Sequence, residues 1–162
     1  MSSVVYHIVL VIFAGLLLAG ATSDARRLLI PNQICLSIAL LYPAHVLTVG
    51  SSVEWAYAIA IAAATLVIGF LLFAVKYVGG GDVKFLSATI LWAGAEYLVP
   101  FWLVMSLTGG GLCVVIWARN RFFAVRAPAG VPAKSLAARP IPYGIAIAAG
   151  GIWVALTKFQ GG

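Results

Sequence analysis

The sequence is short of charge, and of acid above all. Only 9% of its 162 residues are charged, and just four of them are acidic, against roughly 25% charged in an ordinary soluble domain. So little charge excludes a soluble globule. Cysteine is equally scarce: Cys35 and Cys113 stand far apart in apolar runs, without C-x-x-C spacing, and His7 and His45 are isolated. That excludes a zinc or disulfide framework, so no metal and no cofactor is expected. Both cysteines read as small buried hydrophobes. What the chain has in quantity is apolar residues, 64% of the total. At about 20 apolar residues per crossing, six transmembrane helices use about 120 residues and leave about 40 for loops. Residues 1–162 are thus expected to form one transmembrane domain, and the net charge of +6 does not signal a nucleic-acid partner.

Apolar runs cover Val4 to Thr22, Ile34 to Val49, Trp55 to Val75, Val83 to Gly94, Tyr97 to Ala118 and Ile141 to Thr157. The first lacks a basic n-region, so despite Ala19-Gly20-Ala21 it is expected to be retained rather than cleaved. Arg26 and Arg27 follow it directly, which places the N-terminus outside. Alternating six spans from there puts nine of the ten basic residues inside and leaves Lys158 outside. The expected fold is an all-α bundle of six transmembrane helices. Tyr6, Trp55, Tyr97 and Trp153 near span ends suit the interfacial belt. Small residues such as Gly15, Ala19, Ala146 and Gly150 allow helices to approach closely. The stretch from Arg119 to Arg139 carries five basic and no acidic residues and reads as a loop held at an anionic lipid surface.

Glu54 and Glu96 fall in external turns, where a solvated carboxylate costs little. Asp24 and Asp82 fall at cytoplasmic ends of different helices, where packing can bring them together. Ionisable groups that persist at membrane depth usually face a bundle interior or a wet cavity. Taken singly, Asp82 would cap its helix and Asp24 would pair with Arg26 or Arg27 in a loop. The neighbouring residues say more. Asp82 follows Gly79-Gly80-Gly81, a stretch without side chains that suits close approach of another backbone. Asp24 opens a segment ending in Ile30-Pro31-Asn32, in which Pro31 shapes the start of span two.

Gly79-Gly80-Gly81-Asp82-Val83-Lys84 resembles the G-x-G-D-V-K signature of the type IV prepilin peptidases, polytopic aspartic proteases. Asp24, Arg26 and Ile30-Pro31-Asn32 resemble their D-x-R-x-x-x-I-P-N motif. Pro142-Tyr143-Gly144 with Ala146 resembles the P-[YF]-G-x-A element that opens their last helix. Larger relatives carry a cytoplasmic insert with paired C-x-x-C motifs and also methylate the new pilin N-terminus. The chain has no such insert and is similar to the short CpaA or TadV type that serves Flp pili. The resemblance therefore implies proteolysis without methyl transfer.

It implies Asp24 and Asp82 as the catalytic pair, one base and one acid sharing a proton. Gly79, Gly80, Gly81, Lys84, Arg26, Pro142, Tyr143 and Gly144 would support the pair or hold substrate. The implied substrate is a prepilin or pseudopilin with a short basic leader, cut at the cytoplasmic face of the bacterial inner membrane. Its apolar helix lies in the bilayer, with the pilus assembly machinery as a further partner. Two other readings stay open. A presenilin-like intramembrane protease also uses G-x-G-D but places its first aspartate after tyrosine, where this chain has Ser23. A noncatalytic pilus subunit or an ion-coupled transporter would use the aspartates otherwise.

Overall fold

A computed structural model describes residues 2–50, 54–125 and 141–161. Six helices run through them: α1 Ser2–Arg27, α2 Asn32–Val49, α3 Trp55–Ala74, α4 Gly80–Ala93, α5 Leu98–Val125 and α6 Tyr143–Gly161. Each apolar run becomes a helix, but several ends differ from expectation. α1 continues past Thr22 to Arg27, so Asp24 and Arg26 lie on its last turns and not in a loop. α5 passes Ala118 and carries Arg119 and Arg121 on helix. Arginine is a good helix former, and hydropathy sees where the oily stretch stops, not where the helix does. Arg126, Lys134 and Arg139, the rest of the expected basic loop, lie outside the described residues.

Among the described residues, four helices are long and apolar enough to cross a membrane, over Val4–Arg27, Asn32–Val49, Trp55–Ala74 and Leu98–Phe122. α4 and α6 are not among them. At 1.5 Å per residue α4 extends only about 21 Å, short of a hydrocarbon layer of about 30 Å. These two helices form the interior instead. α4 packs on α2, α3 and α6, while α6 packs on α1, α4 and α5. Protein rather than lipid covers them, so they tolerate polar side chains that an outer helix would not. Ser87 and Thr89 are buried on α4, and their hydroxyls donate back to the carbonyls of Val83 and Phe85 at 2.9 and 2.8 Å. α3 presents Val67, Ile68, Phe70 and Leu71 outward, the composition of a lipid-facing wall.

The core is centred on rings and small residues. Phe13 stacks on Trp92 at 4.0 Å between centroids and 6° between planes, and the Trp92 indole N–H donates to the Ile38 carbonyl at 3.0 Å. Successive helices run antiparallel. The end of α1 and the starts of α2 and α4 therefore meet around one cavity at one end of the bundle, and the end of α3 joins them through Phe73 beside Gly80. The start of α1, the end of α2, the α4–α5 turn and the end of α6 meet at the other.

Candidate active site

The chain reverses between α1 and α2 in four residues, and that reversal sets the position of Asp24. The Leu28 N–H donates to the Asp24 carbonyl at 2.8 Å, and Leu28 takes a left-handed φ of 53°. The Ser23 hydroxyl donates to the Leu29 carbonyl at 2.8 Å, tying the turn back to the helix. Ile30 is buried, and Pro31, with φ −61° and ψ 135°, leads into α2. Asp24 itself is 5% exposed. Its Oδ2 accepts the Gly144 N–H at 2.7 Å. The first amides of a helix have no partner within it, so Asp24 on α1 supplies an acceptor to the start of α6. Gly144 is a steric requirement of that bond. A Cβ there would sit 2.8 Å from Asp24 Oδ2 and 2.9 Å from Asp24 Cβ.

Asp82 lies in the first turn of α4, facing the α1–α2 reversal. Gly79 occupies the N-cap, and no side chain caps the helix, so Asp82 is not there to cap α4. None of Gly79, Gly80 and Gly81 has a positive φ. What the glycines provide is room. A Cβ on Gly79 would meet Asp82 Oδ2 at 2.8 Å, one on Gly80 would meet the Phe73 ring at 3.2 Å, and one on Gly81 would lie 3.6 Å from the Ile30 backbone. Asp24, Asp82 and the three glycines line one cavity of about 440 Å³, closed on the α2 side by Ile30, Pro31 and Asn32. Burial first, and the Asp24 charge second, push the Asp82 carboxyl up to about 6.

The remaining candidates divide. Lys84 lines the same cavity, and its ammonium donates to Asn32 Oδ1 at 3.0 Å, linking α4 to the start of α2. Arg26 and Pro142 instead line a neighbouring cavity of about 380 Å³ with Arg119 of α5. Tyr143 is exposed beside Cys113 and within electrostatic reach of Asp82. Asn32, Ser23 and Leu28 hold the site in shape and were not singled out from sequence. Asn32 stood inside the Ile30-Pro31-Asn32 match, yet its bond to a lysine on another helix has no sequence signal. Among the described residues, no group of three or more His, Cys, Asp or Glu gathers as a metal set would.

The model of the type IV leader peptidase family matches residues 11–114. The chain belongs to the type IV leader peptidase family. The matched stretch contains both cavity aspartates and stops before α6, which adds the Gly144 amide. No curated protein and no solved structure matches the chain. A leader peptidase acts on prepilin-type precursors, and the four apolar helices suit such an enzyme to a membrane.

Proposed function

We propose that this leader peptidase is an aspartic endopeptidase of the G-x-G-D type in which Asp24 and Asp82 activate water. The observation that carries the reading is that two of only four acids in the chain line one cavity at one end of the bundle, with Asp82 at about 6. Of the two carboxyls, Asp24 has the N–H donor that an ionised oxygen uses, and Asp82, raised to about 6, holds its proton to a higher pH than a free carboxyl does. Asp24 takes a proton from water as the water oxygen attacks the scissile carbonyl, and Asp82 gives its proton to the carbonyl oxygen. On collapse, Asp24 passes its proton to the departing amine, the C–N bond breaks, and Asp82 regains a proton from the tetrahedral hydroxyl. The pair ends as it began.

The precursor is placed as follows. An apolar groove of about 610 Å³ runs between α2, α3 and α4 and shares Asn32 and Lys84 with the aspartate cavity. The apolar helix of a prepilin of the Flp class lies in that groove, and its leader crosses the aspartates. Lys84, at the junction, faces an acidic residue near the start of the substrate helix. With six spans and the N-terminus outside, the aspartates open to the cytoplasmic face of the bacterial inner membrane, where an unassembled precursor presents its leader.

The test is cleavage of a candidate Flp-type prepilin in membranes, read by the mass of the new N-terminus. Asp24→Asn and Asp82→Asn should each lower the rate by at least about 100-fold, the scale of lost acid–base catalysis. Two variants that cleave as wild type does would sink the dyad and favour a noncatalytic role for the aspartates.

A further inference from the structure

At the end of the bundle away from the aspartates lies a second cavity, of about 490 Å³, which the cleavage chemistry does not use. Tyr42, His45, Lys158, Glu54 and Glu96 bring its polar groups. His45 is 1% exposed and Tyr42 5%. His45 Nδ1 and the Tyr42 hydroxyl are both buried without a hydrogen-bond partner. Buried polar atoms are nearly always satisfied, so two on one cavity point to a ligand.

The protonation of the ring follows from its neighbour. Lys158 Nζ stands 3.5 Å from His45 Nε2, and an ammonium can only donate. Where that ammonium donates to Nε2, the ring proton is on Nδ1. The imidazole is also pinned, stacked on Trp92 at 5.1 Å and on Tyr6 at 5.7 Å, so it cannot turn to find another acceptor. The other donors nearby are taken: the Tyr6 hydroxyl by the Lys158 carbonyl at 2.9 Å, the Trp92 N–H by Ile38. Lys158 is held with its ammonium 5.0 Å from the centre of the Tyr97 ring. Lys158, Tyr42 and His45 thus bring three donors to the cavity wall, the two neutral ones buried just beneath its surface. Glu54 and Glu96 are exposed on the same cavity, and although Glu96 already bonds the Tyr97 hydroxyl and faces Lys158, the two carboxylates together would repel a plain anion and attract an ammonium. A zwitterion satisfies both.

We propose that this cavity binds a phosphate–ammonium zwitterion of the ethanolamine-phosphate class, its phosphate on Tyr42, His45 and Lys158 and its ammonium at Glu54 and Glu96. The group can arrive as a phospholipid headgroup or as the free molecule. The lipid source rests on the six-span reading, which sets this end at headgroup level; the pocket chemistry does not.

Native mass spectrometry of the full chain with matched-chain phosphatidylethanolamine and phosphatidylglycerol tests this. Phosphatidylethanolamine should be retained about tenfold more strongly. Tyr42→Phe, which removes one hydroxyl, should lower that retention by about fivefold or more, and Lys158→Met by about tenfold. Unchanged melting of Tyr42→Phe and unchanged leader cleavage by both variants show that the fold is intact. O-Phosphoethanolamine alone separates the sources: retention of lipid without the free molecule assigns the site to bilayer lipid, and retention of both assigns it to the headgroup from either. Retention of neither, equal retention of the two lipids, variants that bind as wild type does, or displacement by glycine rather than O-phosphoethanolamine would overturn the proposal.

Discussion

At Asp82, one carboxyl carries both a catalytic assignment and a stability cost. Its pKa in the fold, about 6, stands above the ordinary 3.8, because burial and then the Asp24 charge disfavour its ionised form. The protonated side chain is therefore no burden below about pH 4, and its ionisation weakens the fold as pH rises through 6. Asp82→Asn should leave stability nearly unchanged at pH 4 and raise it by on the order of 2 kcal/mol at pH 8. Thermal unfolding in detergent at the two pH values checks this, and an equal effect at both would remove the buried-charge account. Gly144 offers a steric counterpart. Gly144→Ala places a Cβ 2.8 Å from Asp24 Oδ2, so the carboxylate must shift. Cleavage should fall by about 100-fold, as small misplacements of catalytic groups do. Gly15→Ala, with nothing within 4 Å of the added methyl, should leave the rate alone. Parallel rate measurements on the two variants decide whether contact, rather than helix composition, is responsible.

The turns differ between the two ends of the bundle. Gly50 after α2 and Gly94 after α4 take positive φ at the zwitterion end, at no steric cost. At the aspartate end the positive-φ positions are Leu28 and Lys76, which lie in the α1–α2 and α3–α4 connections. A side chain in that region costs roughly 1–2 kcal/mol. Leu28 borders the aspartate cavity, whereas Lys76 is exposed and outside it. Lys76→Gly should raise stability by roughly 1 kcal/mol, the strain relieved less the added freedom of the unfolded chain, with cleavage unchanged. A thermal shift of zero or of opposite sign would show that the α3–α4 turn is not strained there. The interior helices make a related point. α4 and α6 are not among the helices long and apolar enough to cross a membrane, and α1, α2, α3 and α5 pack around them.

For the whole molecule, the arrangement separates two polar cavities by the length of a helical bundle. One holds the aspartates; the other holds His45, Tyr42 and Lys158. If six helices cross, Lys76 and Glu96, at opposite ends of α4, face opposite sides of the membrane. With Cys35 and Cys113 replaced, single cysteines at Lys76 and Glu96 should be labelled by an impermeant thiol reagent from opposite faces of sealed vesicles. Labelling of both from one face would mean that α4 does not cross.

Much of this was legible along the chain. Charge scarcity determined that the protein is built from apolar helices, because every backbone polar group must be satisfied where water is absent. The scarcity of acids drew attention to Asp24 and Asp82, since a carboxylate at membrane depth is too costly to be idle. Hydropathy located six runs but not their ends, which depend on propensity and on turn bonds such as Ser23 to Leu29. Only the tertiary structure decided which helices lie inside and that the Gly144 amide serves Asp24. It alone linked Lys84 to Asn32 and separated Arg26 and Pro142 from the aspartate cavity. It alone turned Glu54 and Glu96 from plain turn residues into the wall of a second cavity. The reason is physical: hydropathy and propensity are properties of neighbours in sequence, whereas a hydrogen bond between helices depends on distances set by packing.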